Sequence, residues 1–257
     1  MIWPIFRDRP KAKNDSVRFG VDVGGSGIKG APVNLSKGAL NTERLRITTP
    51  QPATPEAVAT TMAEVVAHFE WSGPVGCTFP GVVQHGVVYS AANMDSSWRD
   101  TDAAGLFSDA CGLPVTVRND ADAAGVAEMR YGAGRGQTGT VLITTFGTGI
   151  GTCLFVDGVL VPNMELGHIE IDGVDAETMA ASRWRKAHGL TWDEWGDRVN
   201  RYLRTVERLV WPDLIIVGGG VSRRHHKFFA RLNTRTPIVA AELRNDAGII
   251  GAALSVV

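Results

Sequence analysis

Two glycine turns of nearly the same spelling stand 122 positions apart, counted from Gly25 to Gly147, each between strand-like runs. The first reads Val21-Asp22-Val23-Gly24-Gly25-Ser26-Gly27-Ile28-Lys29-Gly30, the second Thr144-Thr145-Phe146-Gly147-Thr148-Gly149-Ile150-Gly151. A Gly-(Ser/Thr)-Gly-Ile core repeated at half-chain spacing points to one structural unit used twice. Glycine admits positive φ and lets backbone N–H groups come close to a ligand. Runs of such N–H groups beside a small hydroxyl make an anion-holding nest. Two nests facing each other across a cleft would hold a chain of phosphates from both sides.

The first turn formally matches G-x-G-x-x-G over Gly25–Gly30. That fingerprint requires a helix opening within the glycines and an acidic residue about 20 positions on. Here Ala31-Pro32-Val33 follows, with Pro32 where a helix would be propagating. The stretch reads instead as a β-hairpin, Arg18 to Val23 up and Ile28 to Leu35 down.

The 257 residues suit one large domain or two lobes. A formal net charge of −1 gives no global field toward nucleic acid or an anionic membrane, so any polyanion must be held by local groups. No apolar run approaches the roughly 20 residues of a membrane span, and the first residues lack a secretory apolar region. Cys77, Cys111 and Cys153 are widely spaced, with no C-x-x-C pair. They read as buried structural thiols in a reducing cytoplasm rather than a disulfide or zinc framework.

The order of elements divides the chain. Residues 1–16 read as a polar extension, 17–118 as an N-terminal α/β lobe and 119–243 as a C-terminal α/β lobe. Residues 244–257 read as a helix packing back toward the first lobe. Strand-rich openings followed by αβ alternation, twice, favour two lobes over one parallel sheet. Thr54-Pro55-Glu56 supplies an N-cap, a first-turn proline and an early acid for a helix running to about Phe69. Glu177 to His188 and Thr191 to Leu209 read as two helices, Thr140 to Val161 as a long hairpin, and Ala247 to Leu254 as a small-residue helix. Trp184, Trp192, Trp195 and Trp211 are expected in core or dimer packing.

Asp22 lies in an apolar strand just before the first turn. A carboxylate beside a phosphate nest suits a hydrated Mg²⁺ bridging the two; the alternative is an Asp capping its own turn. Asn119-Asp120 follows a short strand, at the carboxyl end where open α/β sheets place ligands. Asp120 is there either the base that orients an attacking hydroxyl for phosphoryl transfer or part of a helix N-cap with Asp122. Glu165-Leu166-Gly167-His168 offers acceptor and donor groups to a neutral polyol, and no third nearby ligand makes it a zinc site. Gly218-Gly219-Gly220 lets a flat or charged group approach the backbone. The Arg223-Arg224-His225-His226-Lys227 run after it reads as a solvated helix start, with a rail for a long polyanion as the sharper alternative.

Taken in order, the Asp22 turn, Asn119-Asp120, the Thr145 to Gly151 turn, Glu165 to His168 and Gly218 to Gly220 resemble the ROK sugar kinases of the actin-like ATPase (ribonuclease H-like) superfold, over about residues 17–257. Typical members carry a cysteine-rich zinc motif shortly after the Glu-x-Gly-His stretch. Here Ile169 to Glu177 contains no cysteine, and with Leu243 to Gly248 it resembles the polyphosphate glucokinases of actinobacterial type, so no structural zinc is expected.

The resemblance implies roles residue by residue. Asp120 would be the base on the sugar 6-hydroxyl, and Asn93, Asn119, Glu165, His168 and Glu177 would bind the other hydroxyls, with Gly81 beside them. Asp22 would hold Mg²⁺ through water. Gly24, Gly25, Ser26, Gly27 and Lys29, and Thr145, Gly147, Thr148 and Gly149, would cradle the donor phosphates. Gly218, Gly219 and Gly220 would border the nucleotide base. The implied reaction is glucose, with mannose as a second sugar, plus polyphosphate or ATP, in a cytoplasmic homodimer whose lobes close on the sugar. A DNA-binding sugar sensor would need a helix-turn-helix ahead of the first strand, where only about 16 residues stand. An ATP-only kinase for another hexose or an N-acylated amino sugar remains as the alternative within the enzyme class.

Overall fold

The computed structural model describes residues 16–91 and 94–256. Asn93 and all but the last residue of the 1–16 extension therefore lie outside the described residues. The chain forms two compact units, one of residues up to 118 together with those from 249 onward, the other of residues 119–248.

The first unit opens with β1 (Val17–Gly24) and β2 (Gly27–Asn34), antiparallel with Gly24 opposite Gly27. No helix opens in the glycines, as the hairpin reading expects. β3 (Ala39–Leu40) and β4 (Leu45–Ile47) both pair with β2. α1 (Pro55–His68) starts on Thr54, whose side chain accepts from the Ala57 N–H. β5 (Val75–Phe79) is buried throughout and runs parallel to β1. Such a strand, covered on both faces, reads as a continuous apolar run. A small sheet of β6 (Val83–Gln84), β7 (Val87–Val88) and β8 (Thr101–Asp102) leads to α2 (Ala103–Cys111) and β9 (Val115–Asn119). The main sheet runs β3-β2-β1-β5-β9, with β4 on β2. Phe19, Met62, Phe79, Trp98 and Phe107 fill its core.

The second unit repeats the plan. α3 (Asp120–Tyr131) precedes β10 (Thr140–Phe146), β11 (Ile150–Val156) and β12 (Val159–Val161). The long hairpin expected over 140–161 is thus three antiparallel strands. A two-stranded ribbon, β13 (Glu170–Ile171) with β14 (Val174–Asp175), leads to α4 (Ala176–Ala180), α5 (Ser182–Ala187) and α6 (Trp192–Val210). The single helix expected over 177–188 is two, because Ala181 turns extended (ψ 146°). That break lets the Ser182 hydroxyl and the Arg183 N–H both donate to the Gly147 carbonyl. β15 (Leu214–Gly218) and β16 (Ile238–Ala240) complete a sheet in the order β12-β11-β10-β15-β16, with β10, β15 and β16 parallel. Both main sheets therefore place a glycine-turned hairpin beside a parallel neighbour, the duplication the turns announced.

α6 begins with a full capping box between Thr191 and Glu194, and its Trp195 and Tyr202 are fully buried. Trp211 instead ends the helix in the left-handed region and is 65% exposed, so it is not core. Cys77 and Cys153 are buried and Cys111 half-buried; burial pushes all three thiols up. The last helix, α7 (Ala247–Leu254), lies against Gly20 and Gly76, where added Cβ atoms would fall 1.9 Å and 1.7 Å from the Ile249 and Ala252 carbonyl oxygens. No helix among the described residues is long and apolar enough to cross a membrane.

Candidate active site

In the first unit the register sets Asp22 opposite Lys29 across the hairpin, and both side chains take the same side of the sheet. Lys29 Nζ lies 3.1 Å from Asp22 Oδ2, and the Thr78 hydroxyl of β5 donates to Oδ1 at 3.0 Å. β4 brings a further cation. Arg46, opposite Lys29 in the β2–β4 ladder, donates to the Ser26 carbonyl at 2.7 Å. Its exposed guanidinium occupies the space where a Gly27 side chain would begin, 2.7 Å from an added Cβ. Thr49 holds the Gly24 carbonyl through its hydroxyl. The turn is therefore flanked by two cations. Arg46 is invisible to motif reading, because only the pairing of β4 with β2 carries it there.

In the second unit the matching glycine is occupied by an acid. Glu177, 8% exposed, accepts from the Ile150 N–H at 2.9 Å, and its Oε2 sits 2.2 Å from where a Gly149 Cβ would fall. Arg183 Nη2 lies 3.5 Å from its other oxygen. The Gly147 N–H donates to the Gly149 carbonyl. None of Gly24, Gly27, Gly147 and Gly149 has a positive φ; where the glycines of these turns are needed, it is for close approach.

Glu177 also belongs to a polar cluster. His168 Nδ1 is 2.9 Å from Asp175 Oδ2, and Nε2 is 4.0 Å from Glu177 Oε2. Burial alone would lower the His168 pKa. The hydrogen bond that the imidazole donates to Asp175 and the charges of Glu177, Asp175 and Glu165 outweigh it and hold it above the ordinary value. Glu165 keeps solvent contact, yet its packed surroundings, helped by the Glu177 charge and opposed by His168, push its carboxyl up. The 3₁₀ turn Leu166–His168 is pinned on β11: the Leu166 N–H donates to the Thr152 hydroxyl, and Gly167 admits the Ile150 carbonyl. Asp175, which orients the imidazole, carries no motif of its own in the sequence.

Asn119, not Asp120, takes the N-cap position. Asn119 is the cap of α3, its buried Oδ1 accepting from the Asp122 N–H at 2.9 Å. Asp122 turns away to accept from the Asn163 N–H. Asp120, half-buried in the first turn, receives its own helix's Ala121 N–H at 2.8 Å. Ala121 packs against Gly151, where an added Cβ would meet Thr145 Oγ1 and Ala121 Cβ. The second glycine hairpin thus carries Asp120 beside it. Parallel pairing of β10 with β15 sets Thr145 opposite Gly218, and Gly219, at φ +77°, lies against the Phe146 backbone. Two glycine runs far apart in sequence meet there. Gly81 has a packing reason of its own, an approach by the Ser90 carbonyl that leaves no room for a Cβ.

Among the described residues no cluster of three or more His, Cys, Asp or Glu could enclose a metal ion. Asp22, with Lys29 and Thr78 already on its oxygens, fits an ion held through water and completed by donor phosphates, the habit of Mg²⁺.

Residues 18–189 match the profile of the ROK family. The chain is 50% identical to the polyphosphate glucokinase of Mycobacterium tuberculosis over 253 residues, 98% of this chain and 96% of that one. The crystal structure of an inorganic polyphosphate/ATP-glucomannokinase from Arthrobacter sp. strain KM matches at TM-score 0.91 and 55% identity, covering 93% of this chain and 97% of that chain. A ROK family glucokinase from Streptomyces griseus, solved with glucose and AMPPNP, matches at TM-score 0.79 and 25% identity over 92% and 98%. The fold is the actin-like ATPase fold of the sugar kinases.

Proposed function

The chain belongs to the ROK family, and on that premise we propose that it transfers a phosphoryl group from inorganic polyphosphate or ATP to the 6-hydroxyl of glucose, with mannose as a second acceptor. The observation that carries the reading is the setting of Asp120. It stands on the first turn of α3, beside a glycine hairpin that parallel pairing joins to a second glycine run.

A loose phosphoryl-transfer transition state asks mainly for an oriented nucleophile, which a carboxylate on a rigid helix turn can position. Asp120 accepts the O6 proton as the O6–phosphorus bond forms and the bond to the departing phosphate breaks. Glu165 and His168 take sugar hydroxyls, with Asp175 fixing the imidazole. Asn119 contributes through the part of its amide not engaged in the cap. Glu177 acts on the turn and on His168 rather than as a simple sugar ligand. Gly218–Gly220 border the base when ATP is bound.

Donor phosphates are assigned to the first turn through Lys29 and Arg46, and to the second through the Thr148 and Gly149 amides, since those of Gly147 and Ile150 are engaged. Mg²⁺, held through water by Asp22, would neutralise charge on the transferred phosphoryl group. A homodimer in the cytoplasm is the setting the family resemblance implies, and light scattering tests its first half.

A coupled assay of glucose 6-phosphate formation, run in parallel with polyphosphate and with ATP, tests the proposal; turnover with neither donor overturns it. Asp120→Asn should lower kcat by about 10²–10⁴ while glucose binding by calorimetry stays near wild type. A near-normal kcat removes Asp120 from the base role.

A further inference from the structure

Seven of the chain's 26 Lys and Arg, and none of its 27 Asp and Glu, fall in residues 182–190 and 221–232, so the rest of the chain is net acidic. These two segments, far apart in sequence, meet at one side chain. Arg185 Cζ stands 4.1 Å and Lys227 Nζ 5.8 Å from the ring centre of Trp192, which itself stacks on Phe228. Lys186, Arg223, Arg224 and His226, close in sequence to those two cations, and Lys227 itself are all exposed.

Both ends of the basic strip are tied to the candidate donor site. The α5 end starts at Ser182 and Arg183, which grip the Gly147 carbonyl of the second glycine turn. The other end follows Gly218–Gly220 and begins the 3₁₀ segment Ser222–Lys227. Three carboxylates of this region are committed elsewhere, and a fourth, Asp193, acts on Arg231. Glu194 caps Thr191, Asp197 chelates Arg231 at 2.8 Å and 2.7 Å, and Glu177 serves Ile150 and Arg183. Among the described residues no carboxylate pairs with Arg185, Lys186, Arg223, Arg224 or Lys227. Cation–π contact with one indole offsets part of the repulsion between two cations, but gathering like charges without counter-charge opposes the fold. A polyanion would supply it.

We propose that this strip, Arg185, Lys186, Arg223, Arg224 and Lys227 with Trp192, is a rail for the tail of an inorganic polyphosphate chain whose other end lies at the second glycine turn. The inference rests on the donor reading above. Each internal phosphate carries a negative charge, so a long chain continues onto the rail. The three phosphates of ATP end before it. Continuity with the phosphate-binding turns favours polyphosphate over nucleic acid as the occupant.

The test is the charge-reversed variant Lys186→Glu/Arg223→Glu/Arg224→Glu/Lys227→Glu, with Arg223→Gln/Arg224→Gln as a milder second. Activity with ATP reports whether each is folded. The KM for long-chain polyphosphate should rise about ten-fold or more in the first variant and about three-fold in the second, with a shallower salt dependence, while KM for ATP and for tripolyphosphate moves less than about two-fold. An unchanged long-chain KM, or an equal rise for all three donors, overturns the rail and leaves the donor reading standing. If wild-type protein turns over no polyphosphate, the donor reading fails separately, and filter binding of long-chain polyphosphate to wild type and variant then decides the rail. Single-stranded DNA bound as tightly as polyphosphate and lost in the same variant would make the strip a nucleic-acid surface instead.

Discussion

The two glycine hairpins share a sequence core and a place in their sheets, yet the matching glycines Gly27 and Gly149 admit opposite charges. At Gly27 the vacant side-chain position is filled by the Arg46 guanidinium, exposed and on a flexible stem. At Gly149 it is filled by the Glu177 carboxylate, buried and tied to Ile150 and Arg183. Where the first strand carries Asp22 beneath the turn, the second carries Thr144, fully buried. Duplication kept the backbone device and changed its electrostatics. The first turn is flanked by two cations, Lys29 and Arg46. The second is braced by an acid, Glu177, with Arg183 of α5 beside it.

The sharpest way to break this contrast is a methyl group at each of these two matching glycines. Gly149→Ala should cost about 1–3 kcal/mol by urea unfolding, because a buried carboxylate with fixed partners cannot step aside. Gly27→Ala should stay within about 0.5 kcal/mol, since a surface guanidinium can swing away. Equal costs would dissolve the distinction.

Next in size is Arg46→Ala. It should raise KM for both donors about ten-fold, with little change in melting temperature, if the guanidinium meets donor oxygens as a charge-assisted hydrogen bond would. A change in stability with donor KM untouched would make Arg46 a brace, like Glu177.

The smallest effect concerns pH. Glu165 has its carboxyl pushed up, by burial first and by the Glu177 charge second, against His168. A pKa raised on folding means that stability is whole below the ordinary Glu range and is lost as pH rises through the raised value. Glu165→Gln should therefore melt higher than wild type at about pH 7 and equal to it near about pH 4, while glucose KM worsens. A variant less stable at neutral pH would reverse the sign assigned to that site.

How much of this the sequence carries depends on the range over which each feature is determined. The hairpins, the Thr54 cap and α7 follow from short spacings and local chemistry, so they are legible. The split between α4 and α5 is not, because Ala181 is extended on account of a carbonyl at Gly147, more than thirty residues away. The same holds for the site. Asp22, Asp120, Glu165 and His168 announce themselves by position in motifs. Arg46, Asp175 and the packing of Glu177 on Gly149 arise from strand register and tertiary contact. The charge run after Gly220 is ambiguous in sequence for the same reason, since its meaning depends on meeting α5 at Trp192.

Gly20 and Gly76 have one more effect. By letting the backbone of α7 rest directly on β1 and β5, they make the first unit a composite of two separated stretches, with all of Asn119–Gly248 between them. During synthesis the second unit is a continuous length that can finish first, since domains fold as units while the chain emerges. The first unit must wait with its β1–β5 face uncovered until the last helix arrives. The half of the protein translated first is therefore the half completed last.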